Sequence, residues 1–153
     1  MTREVRTLVK SFRCAFRGAA LGVRFERNFR IHLCAAAYVS LFAWLGELSG
    51  SEMALLIVCF GLMLSSELLN TAIERLCDAA APEYNPMIGA VKDVAAGAVL
   101  VSALACALAG LFLFFSDGAF FRALERLAHT PALLAGTLVS LVPALFFIFH
   151  KHK

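Results

Sequence analysis

Glu67, Asn70, Glu74 and Asp78 follow one another at steps of three, four and four residues, a spacing that sets all four on one face of an α-helix. They close an apolar run that begins at Met53, so an acidic stripe sits on a helix long enough to cross a bilayer. A carboxylate inside such a helix costs roughly 2.5 to 3.5 kcal/mol on insertion scales, which turns it toward protein or water and marks a working site. Carboxylates do two kinds of work there. They hold a hard cation while one of them takes a proton from a hydroxyl, or they pass protons along a relay.

Other charged residues fall at the same end of the apolar runs. Lys92 and Asp93 precede the run Val94 to Phe115, at the depth of the Glu74 end of the stripe. Glu26 stands among Arg24, Arg27 and Arg30 just before the first run. It reads either as a surface ion pair worth under about 1 kcal/mol or as a ligand. His32 reads as an interfacial hydrogen-bonding residue rather than a metal ligand.

The elements that must position these groups belong to a membrane protein. Of 153 residues, 61% are hydrophobic and the mean hydropathy is +0.80, against roughly 45 to 50% apolar residues in a soluble domain. Four apolar runs, 31–48, 53–73, 94–115 and 131–149, approach the ~20 residues that a crossing helix needs, so four spans are expected. Twelve lysines and arginines lie before the first run, between the second and third, and after the fourth, while Arg122 and Arg126 alone lie on the other side. That imbalance predicts both termini and the 75–92 connection in the cytoplasm. The basic N-terminal region continues for thirty residues before the first apolar run, which argues against a cleaved signal peptide.

Residues 5–25 alternate an apolar face (Val5, Leu8, Val9, Phe12, Phe16) with Arg6, Lys10, Arg13 and Arg17, the pattern of a helix lying in the membrane interface. Its cations serve anionic headgroups or meet a phosphate-bearing substrate. Asn85-Pro86 predicts a helix start, Asn as the cap and Pro in the first turn. Ala98, Ser102, Cys106 and Gly110 form a small-residue ridge suited to close helix packing in lipid, and Ala132, Gly136, Ser140 and Ala144 form another. Phe120 to Ala128 reads as a short interfacial helix, Trp44 as an aromatic-belt residue, and Glu47 and Glu52 as solvated. The five cysteines lack any CxxC pair, which predicts reduced thiols without a metal. The chain has no GxxxxGK[ST] motif, so a nucleotide would have to be held by side chains from several helices.

Three stretches taken together, 26-ERNFRIH-32, 67-ELLNTAIE-74 and 92-KDVAAGA-98, resemble the small prokaryotic integral-membrane lipid kinases, diacylglycerol kinase and undecaprenol kinase, over roughly residues 5–115. The resemblance implies an all-α membrane protein with a surface helix and three spans per subunit, assembled as a homotrimer with active sites shared between neighbours. It implies Mg²⁺ and ATP as cofactor and phosphoryl donor, and a membrane lipid alcohol as acceptor. Carried over residue by residue, Glu67 matches the catalytic base and Asn70 its partner. Glu26 and Glu74 match the metal-holding carboxylates, and Lys92 and Asp93 the nucleotide contacts. Glu83, Tyr84 and Asn85 resemble the nucleotide loop, with Asn85 where other members have His. Asn28, Phe29, Arg30 and Arg13 are the corresponding candidates for the lipid substrate.

The ERNFRIH form of the first motif looks more like the undecaprenol kinases, so a polyprenol is the expected acceptor, with diacylglycerol as the alternative. The chain departs from the family after residue 118, where residues 119–153 add a fourth span. Two readings of another class stay open: an ion or proton carrier using Glu67, Glu74 and Asp93, and a noncatalytic scaffold. No acidic residue continues outward past Glu67 within the second run, which weighs against the carrier. A scaffold leaves the insertion cost of the stripe without a return.

Overall fold

The computed structural model describes residues 3–81, 83 and 85–150, all helical apart from short connections. Six helices follow in order: α1 (Arg3–Phe25), α2 (Arg27–Leu45), α3 (Gly50–Ala80), α4 (Pro86–Phe115), α5 (Ala119–His129) and α6 (Pro131–Phe149). Local chemistry explains several of their ends. Ser49 and Glu52 form a reciprocal capping box at the start of α3, satisfying two of the amide donors a helix start leaves open. Asn85 caps α4 by accepting from the Met87 amide at 2.9 Å, with Pro86 next. Glu52 is therefore a cap, where the sequence reads as a solvated acid.

Among the described residues, α3, α4 and α6 are long and apolar enough to cross a membrane. That makes three such helices where the sequence reads as four. The expected first span, 31–48, is instead the helix Arg27–Leu45, which ends at a turn where Glu47 takes a left-handed conformation (φ 56°). Its first turn and a half is spent on Arg27, Asn28, Arg30 and His32, which lowers its mean hydropathy below that of α3, α4 and α6. It nevertheless runs beside α6. The Arg30 guanidinium donates to the His150 carbonyl at 2.6 Å at one end, and Tyr38 and Ser140 share a hydrogen bond of 3.0 Å along the way. At the other end Leu41 and Leu45 share a cluster with Leu133.

The tightest packing lies where α5 crosses the ends of α2, α3 and α4. Ala119, Ala123 and Leu127 recur every four residues on α5 and are all buried. They join Ala43, Leu45, Leu56, Leu113 and Phe114 in two adjoining clusters. Small residues let the helices come close here. A Cβ on Gly46 would stand 2.6 Å from the Ala119 carbonyl oxygen, so only glycine lets α2 end against α5. At the opposite end, a Cβ on Gly22 would stand 2.6 Å from a Leu68 methyl, which brings the end of α1 down onto α3 beside Glu67. All five cysteines are free. The small ridge of α4 meets α3 at Cys106, whose thiol donates to the Cys59 carbonyl at 3.3 Å.

Candidate active site

At 1.5 Å per residue, Glu67 lies roughly 26 Å along α3 from Gly50, Glu74 roughly 36 Å and Asp78 roughly 42 Å. A hydrocarbon core is about 30 Å thick. Glu67 therefore sits near its far boundary, and the other two acids project beyond it. Lys92, roughly 35 Å back along α4 from Phe115, comes level with Glu74.

Glu67 is buried, 4% exposed. Its Oε1 lies 3.4 Å from Nε2 of His32 on α2, and the Thr71 hydroxyl donates to its backbone carbonyl at 2.9 Å. One turn on, Asn70 Nδ2 donates to Glu74 Oε1 at 2.8 Å, while Asn70 Oδ1 is buried without a partner among the described residues. Glu26, in the joint between α1 and α2, lies 3.5 Å from an Arg75 amine. That guanidinium and the one of Arg24 stand 5.2 and 5.1 Å from the centre of the Phe25 ring. Lys92 pairs with Asp78, which ties the start of α4 to the end of the stripe. The stripe, Glu26 and Lys92 thus meet on one side of the bundle.

Other candidates stand apart from that meeting point. Asp93, Glu83, Asn28 and Arg13 are exposed, and Asp93 makes no ion pair among the described residues. Asn85 is spent on its cap. Phe29 and Arg30 are each only 5% exposed, the first against Gly22 and the second bonded to His150, so neither is open to a ligand in this arrangement. Tyr84 lies outside the described residues. Two contacts escaped the sequence reading: Asp78 with Lys92, and His32 with Glu67. A signal for the second existed, since an ionisable residue inside an apolar run calls for a partner.

Directly outward from His32 runs an apolar cavity of about 650 Å³ between α2, α3 and α4. Val39, Met63, Ala107 and Gly110 line it, and Phe120 of α5 closes its outer end against Phe115, the two rings stacked 5.0 Å apart. A hydrocarbon chain fits such a lining, and its polar end would come to rest at His32 and Glu67.

Among the described residues no group of three His, Cys, Asp or Glu side chains converges as a metal site. Mg²⁺ takes one or two protein carboxylates and fills its remaining positions with phosphate oxygens and water. The hard oxygens of Glu26 and Glu74 fit that need.

The undecaprenol kinase of Bacillus subtilis (strain 168) is 42% identical to this chain over 111 residues, covering 72% of this chain and 90% of that protein. A diacylglycerol kinase of Synechocystis sp. is 38% identical over 104 residues, covering 67% of this chain and 59% of that one. Solved structures yield no significant match. The profile of prokaryotic diacylglycerol kinase matches residues 13–114, a stretch that contains the whole acidic stripe, Glu26 and Lys92. With that much of its length inside the match, the chain belongs to the prokaryotic diacylglycerol kinase family and is a multi-pass membrane lipid kinase.

Proposed function

We propose that this kinase transfers the γ-phosphoryl group of Mg-ATP to the hydroxyl of undecaprenol. The observation that carries the reading is the buried Glu67 carboxylate beside His32, itself a lining residue of the apolar cavity, with the more exposed acids and Lys92 farther along the stripe. Phosphoryl transfer needs positioning, neutralisation of phosphate charge and a group to take the hydroxyl proton. Glu67 takes that proton as the alcohol oxygen bonds to the γ-phosphorus and the bond to the ADP oxygen breaks. Asn70 holds Glu74 in place by its amide. Glu26 and Glu74 would hold Mg²⁺, which supplies charge neutralisation at the phosphates. Lys92 turns from Asp78 to the nucleotide, and the family resemblance adds Asp93, Glu83 and Asn85 as nucleotide contacts, which stand apart from the stripe in a single chain.

The preference for a polyprenol rests on the 42% identity to the undecaprenol kinase and on the ERNFRIH motif. Diacylglycerol remains the second acceptor, since a relative bearing that name is 38% identical. Asp93 and Glu83, exposed on a single chain, support a homotrimer in which a neighbour completes each site. The excess of basic residues at the α1 end supports an inner-membrane orientation with both termini cytoplasmic, and α2 as a fourth crossing beside α6. An ion-carrying role gains no support, because the cavity outward of Glu67 is lined by apolar side chains apart from His32, Tyr38 and two cysteines.

Incubating the purified chain with Mg-ATP and either undecaprenol or diacylglycerol tests the reading. Undecaprenyl phosphate is the expected product. Faster phosphorylation of diacylglycerol would reassign the acceptor, and transfer to neither would overturn the assignment.

A further inference from the structure

Glu67 needs more than proximity to a hydroxyl. A general base works within about 2.6 to 3.2 Å of the proton it takes, and a free carboxylate turns about its own bonds. Thr71 donates to the backbone of Glu67 and leaves its carboxylate untouched. The side chain that meets the carboxylate comes from another helix, His32 at 3.4 Å. With Glu67 ionised, as a base must be, the ring nitrogen that faces it carries the proton, because a bare nitrogen would set lone pair against lone pair. At 3.4 Å the pair is a close polar contact rather than a formed hydrogen bond of about 2.9 Å, and such contacts in ligand-free sites tighten when the reactants bind.

His32 is also part of the cavity wall, and it makes a polar contact with the Glu67 carboxylate. Its side chain keeps 27% exposure, which a ring serving to fill the core would not. It borders the hydrocarbon space on one edge and the base on the other.

We propose that His32 is a positioning residue for phosphoryl transfer: its Nε2–H fixes Oε1 of Glu67, so that Oε2 is presented to the alcohol at the mouth of the cavity. This rests on the reading of Glu67 as the base. The donor comes from α2 and the base from α3, so the contact also sets the register of the two helices at the depth of the reaction. His32 does not touch the metal or the nucleotide in this role, and the loss expected on its removal is one of rate rather than of binding.

The test compares His32→Leu, His32→Gln and His32→Asn with wild type and Glu67→Gln, in detergent micelles containing undecaprenol and Mg-ATP. Gln carries an amide donor out to where the imidazole Nε2 stands, while Asn stops at the depth of Nδ1. The expected result is a kcat lower by on the order of 100-fold for Leu and Asn, with KM for lipid and Mg-ATP within about threefold of wild type, as for a misplaced catalytic group. Gln should restore kcat to within about tenfold of wild type. Equal rates for Gln and Asn, or a Leu variant that keeps its kcat while Glu67→Gln is inactive, overturn the proposal and leave the base in place. Glu67→Gln with near-normal turnover removes the base and the proposal together. If His32→Leu does not fold, the ratio of Gln to Asn decides alone.

Discussion

The two ends of the bundle use the same residue types in opposite ways. At the α5 end every guanidinium is spent. Arg122 donates from Nε and Nη2 to the Gly46 carbonyl at 3.1 and 2.9 Å, and from Nη1 and Nη2 to the Asp117 carbonyl and carboxylate at 2.6 and 2.9 Å. Arg126 donates to the Leu45 carbonyl at 3.1 Å and pairs with Glu47. These carbonyls are the ones the end of α2 leaves without helical partners, so the two arginines cap a helix from outside it. At the α1 end, capacity is left over. Asn70 Oδ1 is buried and unpaired among the described residues, Asp93 is exposed, and Lys92 holds a single exposed acid. Satisfied charges make a lock, while unsatisfied ones make a place for a ligand.

Substitutions should separate the ends by what they damage. The largest effect is expected for Glu67→Gln, with kcat lowered by on the order of 100- to 10,000-fold, the usual worth of a general base, and an unchanged thermal midpoint. Glu74→Gln should raise the Mg²⁺ needed for half-maximal rate by about tenfold, equivalent to ~1.4 kcal/mol, read from a magnesium titration at saturating ATP. Gly46→Ala should do the reverse. Its new Cβ meets backbone, not a flexible side chain, so about 1 to 3 kcal/mol of stability should be lost, the usual cost of overpacking. Turnover per folded molecule should remain. A fall in kcat without a fall in midpoint would break the division between the two ends.

The subtlest test is acid. The hydrogen bond from Arg122 holds the Asp117 carboxyl below its usual range. A group whose native pKa is lowered stabilises the fold fully above its unfolded value, about 3.9 for Asp, and loses that contribution as pH falls through the native value. The stability gap between wild type and Asp117→Asn should therefore hold at pH 5 and above, and close as the pH drops below about 3.9. A gap that persists in acid would mean that the link does not depend on charge.

Much of this division was legible in the sequence. The stripe Glu67 to Asp78 announces itself because helical period and membrane cost act together on one short segment, and Asn85-Pro86 marks a helix start by local chemistry alone. The fourth span matched its helix residue for residue at 131–149, since Pro131 opens it and the apolar run ends at His150. What stayed hidden depends on which helices meet. Glu47 and Glu52 looked alike as solvated acids, yet one pairs with Arg126 and the other caps its own helix. The basic residues at 122 and 126, apparent exceptions to the charge bias, are caps for α2. That Glu67 needed a partner was legible, but not that His32 is the one, because the two stand 35 positions apart and meet only through the packing of α2 on α3, to which Gly22, Phe29 and Leu68 contribute.

The bond from Arg30 to the His150 carbonyl joins residues 120 apart in sequence, and that has a consequence for how the chain is made. A ribosome delivers the guanidinium long before its acceptor. Throughout insertion of the intervening helices the arginine must stay hydrated or borrow lipid phosphate, because a lone charge cannot settle in the interior. A polypeptide released before residue 150 would carry Glu26, Glu67, Glu74 and Lys92 around an arginine still without the acceptor it has here.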